Sequence, residues 1–172
     1  MRDIKYLHGR KYEFDHMQYY IQLPELTKEI GKTYPGHIKW LNETFTAGLW
    51  KDERAYSFAV DYNNKILFPY GDCFDRVSTY KLAGCSLLKN TPEEKKICCL
   101  FIDPQYRKLG IASKLISSSF ELLGTTMPLI TVSENNLPML EPILKKFQFE
   151  LTSVQDSVYR KGVKEYYYNQ GR

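Results

Sequence analysis

Apolar residues recur every three or four positions in three segments of the chain, which is the spacing of one helical face. The first set, in "HIKWLNETFTAGLW", is Ile38, Leu41, Phe45 and Leu49. The second set, after Gly110, is Ala112, Ile116, Phe120 and Leu123. The third set is Leu137, Leu140, Leu144 and Phe147. Each set predicts an amphipathic helix.

Helix ends are marked by capping residues, glycines and prolines. Gly124 supplies a stop for the second helix. Asn135 or Asn136 can cap the third, in which Pro142 predicts a kink or a late start because proline removes a hydrogen bond. A further short helix is predicted in "LPELTKEIGK", from after Pro24 to an end at Gly31.

Short runs of aromatic and branched residues predict the strands. "AYSFAV" and "KILFPY" are predicted to form a hairpin through "DYNN", followed by an exposed loop, "GDCFDRVS". After a strand in "YKLAGCSLL" and a polar turn in "KNTPEEKK", six consecutive apolar residues in "ICCLFI" predict a strand covered on both faces. "PLITVS" predicts one more strand, and the tail "FELTSVQDSVYRKGVKEYYYN" two. This order predicts an α/β or α+β domain with a mixed sheet.

Length and composition indicate an ordinary globular domain that spans residues 1–172. The chain is 43% hydrophobic and 26% charged, and its net charge of +4 comes from lysines and arginines that are scattered rather than clustered. Nucleic-acid binding is therefore not indicated, although it is not excluded. A small ligand that carries phosphate suits the same balance.

Targeting and metal-binding patterns are weak. No stretch approaches the roughly 20 apolar residues that span a bilayer, so we expect no membrane association and a cytoplasmic location. Oligomeric state stays open. The four cysteines have no CxxC pairing, and the histidines lie far from them in sequence. We expect no metal site and read the cysteines as reduced; they are Cys73, Cys85, Cys98 and Cys99.

One turn carries a chemical signal. In "FIDPQYRKLGIASKLI" an apolar strand gives way to a charged turn and then to a helix after the single glycine Gly110. Backbone amides at such a helix start have no internal partner and bind anions, and glycine lets a phosphate approach closely. The chain has no GxxxxGK[ST] or GxGxxG motif. The turn alone is equally consistent with a glycine that only eases the chain from strand to helix.

The segment "LFIDPQYRKLGIASKLI" resembles the coenzyme-binding motif of the GNAT superfamily of N-acetyltransferases, which reads Q/R-x-x-G-x-G/A. Arg107, Gly110 and Ala112 fill this pattern. "ITVSENNLPMLEPILKKFQFE" resembles the family's next strand, helix and closing corner, so the resemblance covers residues 96–150. It implies a GNAT-type fold, in which a mixed, mostly antiparallel sheet flanked by helices contains a splayed parallel strand pair.

The resemblance also implies acetyl-CoA as the cosubstrate. Its pyrophosphate is expected on the amides of Lys108, Leu109, Gly110, Ile111, Ala112 and Ser113. Its pantetheine arm is expected to pair with Leu100, Phe101 and Ile102, with Asn136 as a further contact. An amine acceptor then attacks the thioester directly in a ternary complex. An N–H near Leu100 or Phe101 is the candidate donor to the thioester carbonyl.

The catalytic acid and base stay unassigned, because this chain departs from the family pattern. Leu144 stands where many members have a tyrosine, and Gln148 replaces a glycine. The tail offers other hydroxyl groups, on Tyr159, Tyr166, Tyr167 and Tyr168. Lys96 and Cys98 occupy a strand that often carries the base, and Glu134 is a reserve candidate. Two alternatives follow: a base that acts through water, or an acceptor amine of low pKa.

The acceptor is a small-molecule or peptide amine in this interpretation. Its choice should depend on the N-terminal helices, on "YGDCFDRVS" and on the tail, since these segments do not build the coenzyme site. One alternative is a protein or aminoacyl-tRNA acetyltransferase. Another is a module that binds acyl-CoA for regulation and catalyses nothing, which the missing tyrosine and base suggest.

Overall fold

The computed structural model describes residues 2–10, 28, 30–32, 34, 39, 54–69 and 76–171. Within them one sheet has seven strands in the order β1-β2-β3-β4-β5-β7-β6. The strands are β1 (Ile4–Arg10), β2 (Arg54–Pro69), β3 (Arg76–Asn90), β4 (Lys95–Ile102), β5 (Leu129–Ser133), β6 (Leu151–Asp156) and β7 (Lys164–Tyr168). The helices are α1 (Ile111–Leu123) and α2 (Leu137–Lys146), and a 3-10 turn covers Pro104–Tyr106.

The sheet is antiparallel except at its centre, where β4 and β5 run parallel. This parallel pair has only two partnered positions, Lys96 with Leu129 and Ile97 with Ile130, and beyond them the strands separate. Cys98 comes next on β4, and the register against β3 shifts there, so Cys98 is an extra residue in the ladder. Because a bulge bends its strand, it turns β4 away from β5. The predicted mixed sheet with a splayed parallel pair is confirmed.

Two apolar clusters cover the two faces of the sheet. We call the face that carries α1 and α2 the helix face; there Leu100 of β4 packs with Ile111 and Leu115 of α1. We call the opposite face, against which Ile30 and Tyr34 pack, the cleft face; there the same strand contributes Cys99 and Phe101. The alternation along "ICCLFI" therefore confirms a strand that is covered on both faces.

The predicted hairpin through "DYNN" is wrong, because both of its halves belong to the single long strand β2. The segment bulges instead, since the register against β3 shifts between Asp61 and Lys65. Neighbours hold the bulge in place. The Tyr62 amide donates to the Asp3 carbonyl (2.9 Å), and the Tyr62 ring stacks on Tyr80 with centroids 4.0 Å apart. β2 forms its hairpin with β3, whose first residues, 76–78, end the predicted loop; residues 70–75 lie outside the described part.

The helices that flank the parallel pair match the sequence pattern. α1 ends where Gly124 adopts a left-handed conformation, with φ of 66°. α2 begins at Leu137, so the late start suggested by Pro142 is wrong, and a kink there stays a prediction. Residues 30–32 are helical, so the first predicted helix extends one residue beyond the end predicted at Gly31. The helix predicted from Ile38 to Leu49 lies outside the described residues.

Candidate active site

The turn between β4 and α1 presents a row of free backbone amides. Gly110 precedes the helix with φ of 76°, and Lys108 is also left-handed, with φ of 63°. The first helical bond runs from the Lys114 amide to the Gly110 carbonyl (3.2 Å). Within the described part of the chain, the six amides from Lys108 to Ser113 have no hydrogen-bond partner. Successive amides of this kind, at the positive end of a helix dipole, form an anion site.

The residues before this turn fix its position relative to β4. Asp103 donates its amide to the Ala83 carbonyl on β3 (3.0 Å), and its carboxylate accepts from the Gln105 amide (2.8 Å). The buried Tyr106 donates its hydroxyl to Asp61 on β2 (2.9 Å). The segment "DPQY" is therefore tied to the sheet, so that the free amides begin directly beyond the end of β4.

Where β4 and β5 separate, a cavity of about 590 Å³ opens in the sheet. Its walls include the splayed parts of both strands, at positions 96–100 and 130–133. Asn136 at the start of α2 borders it as well, and the amide of that side chain donates to Ser133 Oγ (3.1 Å) instead of capping the helix. The cavity therefore connects the separated strands with the segment that leads into α2.

Tyr34 defines the backbone orientation of β4 in this cavity. Its hydroxyl donates to the Leu100 carbonyl at 2.7 Å in a buried contact. Because the N–H and C=O of one strand residue point the same way, the Leu100 N–H also faces the opening between β4 and β5, whereas those of Phe101 face β3. Burial raises the pKa of Tyr34, with the Cys99 and Cys85 thiols adding to the effect, so its hydroxyl stays a donor.

Among the described residues, one buried side chain in the cavity wall lacks a hydrogen-bond partner. The hydroxyl Oγ1 of Thr131 on β5 is buried and has no hydrogen bond within the described residues. Buried hydroxyls are bonded in most proteins, since an unsatisfied one costs about 1–3 kcal/mol. The Thr131 hydroxyl therefore indicates that this wall of the cavity contacts a polar ligand.

The charged residues of the cavity are mainly basic. Lys32, Lys96 and Arg160 line it, and the acidic Glu94 is paired with Lys89 at 2.7 Å. Among the described residues the other acid of the cavity is Glu165 on β7, which is 4% exposed. Burial raises the pKa of Glu165, while the positive charges of Arg160 and Lys96 act in the opposite direction.

The residues expected to hold a coenzyme fall into two places. Leu100 and Asn136 line the cavity, whereas Phe101 is buried against the cleft face and pairs with Cys85 on β3. Ile102 ends β4 and leads toward the turn. The turn itself holds Arg107, Lys108, Leu109, Gly110, Ile111, Ala112 and Ser113. None of these seven lines the cavity. The positive charge of Arg107 nevertheless acts on the cavity residue Tyr34, where it opposes the rise in pKa that burial causes.

The candidates for the catalytic acid and base differ in whether they line this cavity. Leu144 is buried in the core on the helix face. Of the four tail tyrosines only Tyr159 lines the cavity, at its exposed rim. Lys96 and Cys98 also line it. Glu134 does not; its carboxylate accepts the Lys164 amide (3.0 Å) at the start of β7.

Sequence reasoning missed Tyr34 and Glu165. Tyr34 lies far from the coenzyme motif and no pattern distinguishes it. Glu165 had a usable signal, because in "KEYYY" it alternates with Tyr167 and both face the same side of β7 as Ser133 and Thr131 on β5. An acid at an inward position of a strand is unusual enough to mark a site.

Comparisons with known proteins agree with this geometry. The sequence model described as the acetyltransferase (GNAT) family matches residues 24–141, which is more than half of the chain. No curated protein matches the sequence. Within the described residues no helix is both long and apolar enough to cross a membrane.

Several solved structures share the fold at low sequence identity. Arabidopsis thaliana NAA60 in complex with acetyl-CoA has a TM-score of 0.63 and 15% identity, over 96% of this chain and 97% of that one. An aminoglycoside 6'-N-acetyltransferase complexed with coenzyme A has a TM-score of 0.61 and 10% identity, over 96% and 98%. The spermidine/spermine N-acetyltransferase SpeG from Vibrio cholerae has a TM-score of 0.53 and 10% identity, over 96% and 90%.

Proposed function

This chain belongs to the acetyltransferase (GNAT) family, and from that premise we propose that it transfers the acetyl group of acetyl-CoA to an amine acceptor. The observation that carries the proposal is the combination of two sites at one strand. The row of free amides follows the end of β4, and the cavity opens along the same strand where it leaves β5.

The residues present fit coenzyme A at both sites. The six unpartnered amides from Lys108 to Ser113 suit a pyrophosphate, and a Cβ built on Gly110 would meet nothing within 4 Å, so this side of the turn is open to a ligand. Along β4 the Leu100 N–H is available to a strand-like pantetheine arm, while its carbonyl is already bonded to Tyr34. Pairing between the pantetheine arm and β4 is therefore supported at Leu100 and Ile102, whereas the backbone N–H and C=O of Phe101 point to β3.

The same geometry suggests how the residues act. Acetyl-CoA supplies a thioester, whose C–S bond breaks as a C–N bond to the acceptor forms. Of the two expected donors to the thioester carbonyl, the N–H of Leu100 is favoured because it faces the opening. Tyr34 holds that part of β4 in place from the cleft face. Since the helix face is covered by α1 and α2, the acceptor enters from the cleft face, between Tyr34 and the rim residue Tyr159.

We propose further that residues 1–172 form one domain in which residues 96–150 hold the coenzyme and the remainder selects the acceptor. The Tyr159 and Arg160 side chains at the cavity support a selecting role for the tail. A cytoplasmic location stays a prediction. Acceptor preference that survives exchange of the segment at 70–78 would contradict a role for that loop. Steep salt dependence of acceptor binding would favour an RNA-borne acceptor.

The first experiment measures binding and transfer separately. Thermal shifts are recorded with acetyl-CoA, CoA, ATP and NAD for the wild type and for Gly110→Glu, whose side chain fills the anion site. Release of free thiol is then followed with spermidine, an aminoglycoside and a peptide with a free N-terminus. The expected result is stabilisation by both CoA species alone, abolished in the variant, and thiol release with at least one amine. Binding without any release would favour the regulatory module, and no binding would refute the proposal.

A further inference from the structure

Glu165 lies across the opening from Leu100. On β5, Ser133 is three residues beyond Ile130, the last residue partnered with β4, and Ser133 pairs with Glu165 on β7. On β4, Leu100 is three residues beyond Ile97, with Cys98 bulged between them. With the bulge discounted, Leu100 is two ladder positions beyond the last partnered residue of β4 and Ser133 is three beyond that of β5, and Leu100 and Glu165 line the same cavity.

The side chain of Glu165 points to the cleft face. It shares its face with Tyr167, because residues two apart on a strand project the same way, whereas Tyr166 and Tyr168 pack against the core on the helix face. Its lining of the cavity agrees with this orientation. An amine that enters from the cleft face therefore has Glu165 and Leu100 in the wall of the same cavity.

Glu165 is a buried residue that lines the cavity, and among the described residues its carboxylate has no hydrogen bond and no ion pair within 4.0 Å. A buried acid in a purely structural role is normally paired, since leaving it unpaired costs stability. Thr131, two positions along β5 from Ser133, adds a buried hydroxyl without a partner in the same wall. Within the described residues the cavity wall thus offers a carboxylate on β7 and a free hydroxyl on β5, and both can accept hydrogen bonds from a ligand that carries donors.

Charged and titratable groups from several elements surround Glu165. Lys96 faces it from β4 and Arg160 from the segment before β7, and Tyr159 and Tyr167 interact with each other beside it. Across the cavity stand Lys32 and Tyr34, and the Lys89–Glu94 pair closes one side. Burial raises the pKa of Glu165, and the two cations moderate the effect. The pKa of Glu165 therefore lies above that of an ordinary glutamate.

We propose that the Glu165 carboxylate is the general base of the acetyl transfer, an inference that rests on the proposed function. Glu165 takes a proton from the acceptor ammonium, and the freed amine attacks the thioester carbon. A C–N bond forms, the C–S bond breaks, and the coenzyme leaves as a thiolate that takes the second proton of the nitrogen. Glu165 then returns its proton to water, so protons and charge balance.

The other candidate bases fit less well. The positive charge of Lys96, which acts on Glu165, would repel an acceptor ammonium group. Cys98 belongs to the bulge on β4 and lies on the arm that the coenzyme is proposed to occupy. Glu134 does not line the cavity, and its carboxylate accepts the Lys164 amide. Glu165 is therefore the one carboxylate in the cavity that the described residues leave without a cation in contact.

The test compares two nucleophiles of different basicity. Spermidine is protonated at neutral pH and needs a base, whereas the nitrogen of hydroxylamine is already unprotonated and needs none. In Glu165→Gln, kcat/KM for spermidine, or for whichever probe amine the wild type prefers, should fall by about 10²–10⁴-fold at neutral pH. Transfer to hydroxylamine should stay within about threefold of wild type, and the loss for the basic amine should shrink as the pH rises.

Glu134→Gln is the matched control, because it makes the same change beside the start of β7 but not in the cavity lining, and it keeps the carbonyl oxygen that accepts the Lys164 amide. Its rates should equal those of the wild type. The assignment would be overturned if Glu165→Gln left kcat/KM and its decrease toward acid pH unchanged. An equal loss of kcat/KM with both nucleophiles would overturn it as well. If wild type binds acetyl-CoA but acetylates neither hydroxylamine nor any amine, the transfer function itself is refuted.

Discussion

Gly110 gives the sharpest test of the coenzyme site, because a matched glycine lies at the other end of the same helix. Gly110 and Gly124 flank α1 with φ of 76° and 66°, and a Cβ built on either would meet no atom within 4 Å. Alanine should therefore cost each position about 1–2 kcal/mol of stability through left-handed strain. The two variants should unfold alike without ligand.

Acetyl-CoA should separate the two variants. If the pyrophosphate occupies the space beside Gly110, a methyl group there removes at least one charge-assisted hydrogen bond of about 1.5–3 kcal/mol, which weakens binding about ten- to hundredfold. At a ligand concentration of 100 times the wild-type Kd, stabilisation should fall from about 2.7 kcal/mol to about 0.4–1.4 kcal/mol. Gly124→Ala should keep the full 2.7 kcal/mol.

The assay is differential scanning fluorimetry with and without acetyl-CoA. For a chain of this size about 1 kcal/mol corresponds to about 2–4 °C, so the ligand should raise the Tm of wild type and of Gly124→Ala by about 5–11 °C. The rise for Gly110→Ala should be about 1–6 °C. Equal ligand-induced shifts in the two glycine variants would refute the argument that the turn binds the pyrophosphate.

Three further predictions concern strand packing and Glu165. Gly84→Ala should lower the free energy of unfolding by about 1–3 kcal/mol in urea, because the new Cβ would lie 2.8 Å from the Phe101 carbonyl oxygen; an unchanged urea midpoint would contradict that close approach. Tyr34→Phe should cost about 1 kcal/mol by removing the bond to the Leu100 carbonyl, with Kd for acetyl-CoA as the second readout; a more stable variant would argue against the bond. Because burial raises the pKa of Glu165, its destabilising charge is absent at acid pH and develops as pH rises through the folded-state pKa, so Glu165→Gln should raise the Tm at about pH 8 and leave it nearly unchanged near pH 4; a larger gain in acid would reverse the sign and refute the argument.

The parts of the fold that were predictable are those specified by local sequence. The strand of "ICCLFI", the stop at Gly124 and the turn at Gly110 each depend on residues within about ten positions, and all three are present in the structure. The resemblance to the family added the splayed pair, which no local pattern indicates. Gln148 shows that the resemblance in backbone extends to a position where the residue differs. It replaces the family's glycine, yet its backbone keeps a left-handed φ of 57°.

The hairpin error has a nonlocal cause. "DYNN" has the composition of a turn, but β1 and β3 flank it on both sides and accept its backbone as a bulge, with the Tyr62 amide on Asp3 and its ring on Tyr80. Partners at the edge of the sheet thus overrode a local turn preference. Pattern reading has no access to such partners, because they lie about 20–60 residues away in sequence.

Glu165 escaped prediction for a related reason, and the same reason makes it informative. Its burial results from the position of β7 between β5 and β6, and the cavity that it lines opens where β4 leaves β5 beside the bulge at Cys98, which no short stretch of sequence encodes. A fold selected only for stability would place an apolar or paired residue there. The chain instead keeps an ionisable group in the wall of the cavity, beside an unsatisfied hydroxyl on Thr131. If Glu165→Gln proves more stable at neutral pH and also loses transfer to basic amines, the cost in stability and the catalytic role belong to the same carboxylate.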